Sequence, residues 1–382
     1  MFSRTCRLCA CDLVRQPILH YPRMPKSAQN FPTADSLADD QPVDLNIVQC
    51  QQCGLVQLDN EPVSYFREVI RASAFSAEMA AYRRRQFAEF IERYALQNQN
   101  IIEIGCGRGE YLSLLEAAGV NGFGLEYAED SVRHCLQFGL KVQRGYIEHL
   151  GYSLDHAPFS AFFMFNFLEH LPEPLIVLKT IAGHLTDGAV GMVEAPNFDM
   201  MLRENQFTEF VTDHLCYFTS DSLRLLLGLS GFEVLECREI WDDYILSATV
   251  RKRKTVDVGG FNRAHQALRK ELNTYIDRFG AGNVAIWGAG HQALAVMALT
   301  GLDGKIKYVV DSAPFKQNKL TPGTHLPIVS PPVFFQDSKD ASIDALIIMA
   351  AGYSDEVAAI VKQNAAKPLS LAILRASGLE CL

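Results

Sequence analysis

The chain of 382 residues has no excess of basic charge: 35 Lys and Arg stand against 44 Asp and Glu, a formal net charge of −9. A face that neutralises nucleic-acid phosphates needs the opposite balance, which excludes nucleic acid as an expected partner. The same balance disfavours docking on anionic lipid. Long apolar runs are missing as well. The richest stretch, Ala161 to Leu168, is strand-sized, well short of the about 18 residues a membrane span needs. No apolar signal segment follows Met1–Arg4, so a cytoplasmic location is expected. Too few residues are charged (21 %), and too many apolar (48 %), for disorder over most of the chain. At roughly 150 residues per domain, the length predicts two to three domains.

Cysteine is present, 10 in all, but unevenly: five lie in the first 53 residues. Cys6-x-x-Cys9 and Cys50-x-x-Cys53 form two pairs, each spaced so that both sulfurs can face one tetrahedral Zn²⁺. Four thiolates fill the coordination shell, so the expected zinc is structural. Disulfides fit a reducing compartment poorly, and a redox motif would need only one pair. Cys11 is read as a spare thiol or a substitute for Cys9. The 40 residues between the pairs exceed the usual zinc-ribbon gap, and Pro22 to Asp44 reads as an irregular loop.

Apolar positions such as Met79, Phe87, Phe90 and Ile91 predict an amphipathic helix over 75–98. A buried strand, Ile101 to Ile104, then leads into a turn containing Gly105, Gly107 and Gly109, and Glu110 begins a helix. The spacing is Glu103-x-Gly-x-Gly-x-Gly. A second strand ends in Glu126, 17 residues after Gly109, where a carboxylate can take both hydroxyls of a ribose. The turn lacks the glycine that brings a helix against a pyrophosphate, which favours an adenosyl ligand without phosphate.

These motifs resemble the class I S-adenosylmethionine (SAM)-dependent methyltransferases. The pattern continues with Arg144–His149 after a short third strand, where Tyr146 and Ile147 would flank the adenine. A fourth strand runs from Ala161 to Asn166, followed by Leu168–Pro174. A fifth runs from Val190 to Asn197, with closing strands at Gly231–Leu235 and Ser247–Arg251. The resemblance implies a Rossmann-like core in which Glu103, Gly105, Gly107, Gly109, Glu126, Tyr127, Tyr146, Ile147 and Asn166 bind SAM. His170 and Glu169 read more readily as packing and capping residues than as catalysts.

Past strand five comes Phe207–Ser222, which in this fold faces the transferred methyl group. Thr219 and Ser220 read as a helix start. Asp213 and His214 lie upstream of it and offer an imidazole with a neighbouring carboxylate, a group suited to proton abstraction near neutrality.

The chain as a whole is similar to the three-domain C-methyltransferases that act on nucleotide-linked 4-keto-6-deoxy sugars. The matches are the cysteine pairs with Gly54–Gln57, the SAM motifs, Glu194 with Pro196 and Asn197, and His214–Phe218. Tyr308–Lys316 and Thr321–Ile328 are the most specific. The resemblance implies His214 as base with Asp213 beside it, and Asn197 as a donor to the enolate. Three features depart from the family pattern: Asp213 replaces Glu, Val211 replaces a Tyr that takes part in proton transfer, with no phenol restored nearby, and the glycine loop of the third domain is altered to Trp287–Gln292.

The C-terminal third begins with a loop and a charged helix over 258–280. A second strand–turn–helix follows: Gly288, Gly290 and Ala293, with Asp311 about 20 residues on. Read literally, this is a nicotinamide-dinucleotide fingerprint. The resemblance implies instead that Gly288, Gly290, His291 and Lys316 contact the substrate nucleotide, since methyl transfer needs no hydride carrier.

The expected architecture is therefore α/β: a zinc-binding segment (1–70), a class I SAM methyltransferase core (71–255) and a second Rossmann-like domain (256–382). The expected activity is C-methylation of a nucleotide-linked 4-keto-deoxy sugar. Sugar O- or N-methylation, and a non-catalytic SAM or sugar-nucleotide binding module, are the alternatives. Monomer and homodimer both stay open.

Overall fold

The computed structural model describes residues 5–13, 16–68, 76–340 and 342–382. The chain divides into two compact units, Met1–Thr255 and Val256–Leu382. No helix among the described residues is long and apolar enough to cross a membrane.

The first unit opens with three short strands, β1 (Leu19–Met24), β2 (Val43–Gln49) and β3 (Val56–Leu58). β1 and β2 pair antiparallel, so the loop expected over Pro22 to Asp44 is stranded at both ends and carries one 3₁₀ turn, Ala34–Asp39, between them. The methyltransferase-type region follows. It contains α1 (Ala77–Arg93), β4 (Asn100–Ile104), α2 (Glu110–Ala117), β5 (Asn121–Glu126), α3 (Glu129–Gln137) and β6 (Val142–Arg144). Next come β7 (Phe159–Phe165), α4 (Pro174–Gly183), β8 (Leu185–Pro196), α5 (Phe198–Arg203) and β9 (Cys216–Tyr217). The unit ends with α6 (Ser220–Leu229), β10 (Phe232–Ile240) and β11 (Ile245–Lys252). α1 is the core of the helix expected over 75–98; residue 75 lies outside the described residues. At the other end Tyr94 closes the helix and Ala95 turns to φ 52°.

Seven strands form one sheet in the order β10-β11-β8-β7-β4-β5-β6. All run parallel except β11, which pairs antiparallel with both its neighbours. The chain builds outward from β4 through β5 to β6, then returns to the other side of β4 with β7. That reversal is the switch point at which open α/β sheets bind ligands, beyond the carboxyl ends of the strands. Alternation along β7 shows why the sheet is buried on both faces. Phe159, Phe162 and Met164 join one apolar cluster, while Ala161, Phe163 and Phe165 join the other. A register shift between Phe159 and Ala161 sets that phase.

A second sheet, β1-β2-β3-β9, joins the cysteine-rich segment to the loop that follows α5. β3 pairs with β9 at Val56 to Tyr217 and at Gln57 to Cys216, so the sheet edge arrives two residues past His214.

The second unit contains α7 (Gly259–Ile276), β12 (Val284–Trp287), α8 (His291–Thr300), β13 (Val309–Val310), β14 (Ile328–Val329) and α9 (Pro331–Lys339). It continues with β15 (Ala345–Ile348), α10 (Ser354–Asn364), β16 (Ser370–Arg375) and β17 (Gly378–Cys381). Its sheet order, β14-β13-β12-β15-β16-β17, has the same outward-and-return path, with only β17 antiparallel. The chain thus builds a Rossmann-like sheet twice.

Candidate active site

The glycine turn sits at the carboxyl end of β4. Gly105 adopts φ 69°, and a Cβ there would stand 2.8 Å from the Phe167 ring, so only glycine fits this approach. The Gly107 N–H donates to Glu126 Oε2 at 2.9 Å, and the Ala128 N–H donates to Oε1 at 2.8 Å. Those bonds pin the carboxylate at the end of β5, beside the turn. Gly109 opens α2, and Glu103 is buried in β4. A pocket in this region is lined by Gly105, Glu126, Tyr127, Tyr146, Ile147 and Phe167, so the residues expected around the adenosyl group converge. Asn166 follows β7 at φ 48°, and its Oδ1 is a buried acceptor with no partner among the described residues. A close-approach turn, a fixed carboxylate, aromatic walls and an orphan acceptor fit SAM, whose ribose needs an acid and whose ammonium needs acceptors.

His214 lies beyond β8, half-buried, with its ring centre 4.8 Å from that of His170 in an edge-on arrangement. Burial, and then the neighbouring His170, push the His214 imidazole down to about 3. It is therefore a neutral proton acceptor at neutral pH. His170 sits in a buried 3₁₀ turn, Leu168–His170, immediately after the pocket residue Phe167. Its Nδ1 is 2.8 Å from the Asp213 carbonyl oxygen. A carbonyl only accepts, so Nδ1 carries the proton and Nε2 of the neutral ring does not. Burial lowers the pKa of His170 too. The residue expected to be packing therefore touches the candidate base. Glu169 is buried beside it, with Oε1 3.8 Å from His170 Nε2.

Asp213 is buried, and its carboxylate is held on the side of the N-terminal segment. The Tyr65 hydroxyl lies 2.8 and 2.9 Å from its two oxygens, and the Ala28 N–H donates to Oδ1 at 3.0 Å. A phenol does therefore reach this site, from far back in the chain. The Tyr65 oxygen also accepts from the Ala28 and Gln29 N–H groups, and burial raises its pKa. Tyr65 thus stays protonated and can donate.

Asn197 lands elsewhere. Its Oδ1 accepts from the Asp199 N–H at 3.1 Å as the cap of α5, and its Nδ2 donates to the Asp243 carbonyl at 2.7 Å. Both ends of the amide hold the backbone, so the role expected for it as enolate donor is corrected to a structural cap. Glu194, expected only as a family match, forms a buried pair with Arg83 of α1. Nη1 and Nη2 lie 2.7 and 2.5 Å from the two carboxylate oxygens, and Gln86 and Ser247 add bonds of 3.0 and 2.9 Å. Thr219 caps α6 together with Ser222, as its position suggested.

The four cysteines converge. The sulfurs of Cys6, Cys9, Cys50 and Cys53 all lie within 4.8 Å of one another, with Cys6 to Cys53 at 3.4 Å and Cys9 to Cys50 at 3.6 Å. A tetrahedron with Zn–S bonds of about 2.3 Å has sulfur–sulfur edges of about 3.8 Å. A disulfide would need about 2.05 Å. The donor set thus fits one closed zinc site, and Cys11 stands outside it. Burial pushes the Cys6 thiol up to about 11, so without a cation it stays protonated. Next to Cys6, Arg7 reaches out of the knuckle to the carbonyl oxygens of Asn60 at 2.9 Å and Pro172 at 3.3 Å. The metal knuckle is thereby tied to the segment that carries Tyr65.

In the second unit Gly288 adopts φ 120°, and a Cβ there would stand 2.5 Å from the Met349 carbonyl oxygen. Gly290 precedes α8, and His291 is exposed on its first turn. Asp311 accepts from the Ala289 and Ala313 N–H groups, both at 2.9 Å, just as Glu126 accepts from Gly107 and Ala128. Here Lys316 Nζ also lies 2.9 Å from Oδ2. Burial raises the Asp311 pKa, but Lys316 and the backbone donors outweigh it and hold the carboxyl below its usual range. Lys316 covers the acid a dinucleotide ribose would use.

Residues 79–237 match the family model of a methyltransferase domain, and residues 251–369 match that of a C-methyltransferase C-terminal domain. The chain is 21% identical over 385 residues to C-methyltransferase NovU of Streptomyces niveus, covering 92% of this chain and 90% of that protein. It is 28% identical over 106 residues to the ubiquinone biosynthesis O-methyltransferase of Hydrogenovibrio crunogenus, covering 26% of this chain and 44% of that protein. Among solved structures, a SAM-dependent methyltransferase from Clostridium acetobutylicum aligns at TM-score 0.39 and 10% identity, over 45% of this chain and 92% of that one.

The strand order, glycine turn and fixed acid define a class I SAM-dependent methyltransferase. Within that class, the chain is similar to the C-methyltransferases, whose C-terminal domain model its residues 251–369 match.

Proposed function

We propose that the enzyme methylates a carbon next to the 4-keto group of a nucleotide-linked deoxy sugar, with His214 as the base. The observation that carries this reading is the cluster of His214, His170, Asp213 and Tyr65, joined to the switch-point pocket by the turn that runs from Phe167 to His170. The similarity over 92% of the chain to C-methyltransferase NovU supports carbon as the methylated atom, and the sugar-nucleotide class is what the motif resemblance implies.

SAM, when bound, supplies an electrophilic methyl group. The protein's task is to make the acceptor carbon nucleophilic. His214, neutral and half-buried, takes the proton from the carbon next to the ketone. The electron pair left behind spreads onto the ketone oxygen as an enolate. Tyr65, kept protonated by burial, donates its one proton to the Asp213 carboxylate and holds the segment that carries His214. His170, fixed by its bond to the Asp213 carbonyl, sets the angle of the His214 ring. Holding the two reactants in line can account for about 7–11 kcal/mol of the barrier. In the second unit the turn at Gly288 and Gly290, with His291 and Lys316 at its rim, is the candidate nucleotide-binding turn.

The test is proton exchange without methyl transfer. With S-adenosylhomocysteine (SAH) in place of SAM, the wild type exchanges the acidic proton of the keto sugar for solvent deuterium. His214→Ala stops that exchange; a variant that exchanges at the wild-type rate removes His214 as base.

A further inference from the structure

Arg67 lies between the second cysteine pair and α1, outside every motif that marks the methyltransferase fold. It nevertheless lines the same pocket as Gly105, Glu126 and Ile147. Its guanidinium carbon stands 4.9 Å from the ring centre of Phe66, 5.5 Å from that of Tyr146 and 5.9 Å from that of Tyr127. One terminal nitrogen lies 2.8 Å from Oε1 of Glu148, in a pair whose side chains are 38% and 53% exposed. Its Nε is buried and has no hydrogen-bond partner among the described residues.

That last fact is informative. A partly exposed arginine can ordinarily turn Nε to water, and a buried unpaired N–H costs free energy. Here the guanidinium plane is held against aromatic rings at the adenosyl end of the pocket, with its unpaired donor enclosed. A flat aromatic ligand with ring-nitrogen acceptors satisfies both features: it stacks on the guanidinium and accepts the Nε proton.

We infer that Arg67 is an adenine-binding residue, which closes over the base of SAM from the side opposite Tyr127 and Tyr146. The inference rests on the adenosyl end of SAM lying in this pocket. Two layers of van der Waals contact need about 7 Å. The guanidinium therefore moves outward by about 1–2 Å as the base enters, a shift the half-exposed pair with Glu148 can follow. Tyr65 is two residues upstream and holds Asp213. One short segment thus grips the cofactor's base with Arg67 and the Asp213 carboxylate with Tyr65.

The test is calorimetric titration of the full-length protein with SAH and with 5′-methylthioadenosine, which lacks the amino-acid part. Arg67→Ala should weaken both ligands by about tenfold. Arg67→Lys should stay close to Arg67→Ala, because a point charge has neither the flat face nor the Nε donor. Wild-type affinity in Arg67→Ala overturns the inference, as does tighter binding, which would make Arg67 a plug. A loss confined to SAH places Arg67 at the amino-acid end and overturns it too. A wild type that binds neither ligand refutes the cofactor site itself, a separate failure from that of Arg67.

Discussion

The hydroxyl of Tyr65 lies 2.8 and 2.9 Å from the two carboxylate oxygens of Asp213, across 148 residues of sequence. The contact links the segment after the cysteine knuckle to the residue next to the candidate base. A hydrogen bond to a charged group contributes about 1.5–3 kcal/mol. Tyr65→Phe should therefore lower the thermal midpoint and, by loosening the segment next to His214, lower kcat by about tenfold while leaving SAH affinity nearly unchanged. A variant with wild-type kcat would reduce Tyr65 to a structural tether.

The depressed pKa of His214 has consequences for both activity and stability. Its folded value, about 3, lies below the ordinary value of about 6.5 expected in the unfolded chain. Protons therefore bind the unfolded state first. The stability this group contributes is present above about pH 6.5 and is lost as pH falls towards 3. While the fold holds, the imidazole stays neutral. Deuterium exchange under subsaturating substrate should change less than about twofold between pH 7.5 and 5.5. A tenfold fall with a midpoint near 6.5 would show an unperturbed histidine at work.

The cysteine cluster predicts about one tightly held zinc per chain, read by metal analysis of protein purified without added metal. Cys50→Ser, or prolonged chelation, should lower the thermal midpoint and reduce turnover, because the knuckle positions the segment bearing Tyr65. Metal-free protein with unchanged stability and turnover would contradict the role.

Arg83 and Glu194 are both fully buried and meet through two bonds, so neither charge can lose its partner cheaply. Glu194→Gln should destabilise the protein by about 3–5 kcal/mol in denaturant unfolding. The double variant Arg83→Met/Glu194→Leu should recover part of that loss, because no lone charge remains buried. A Glu194→Gln protein as stable as wild type would mean the pair contributes only geometry.

The local features were legible in the sequence because each is carried by adjacent residues. Gly105 to Glu110 encode strand, turn and helix in ten residues of context, and Glu126 is placed by the length of one strand–turn–helix–strand step. The cysteine pairs announce a tetrahedral donor set by spacing alone. What stayed hidden depends on contacts between distant segments. Tyr65 and Arg67 sit in a stretch with no periodic pattern. His170 looks like a packing residue until Asp213 brings its carbonyl to Nδ1. Arg83 falls among three consecutive arginines on a helix that reads as amphipathic, and only the fold turns it towards Glu194. Asn197 failed in the other direction: its position after β8 suggests a catalytic amide, but a helix start and the Asp243 carbonyl use both ends of it.

The central claim is carbon methylation through an enolate formed by His214. The most direct test incubates the purified protein with SAM and a panel of nucleotide-linked 4-keto-deoxy sugars and their 4-hydroxy counterparts, then locates any new methyl by NMR. The account predicts a methyl on the ring carbon next to the ketone, and no reaction with the reduced sugars. A methyl on oxygen or nitrogen, or bound SAM with no transfer to any keto sugar, would contradict it.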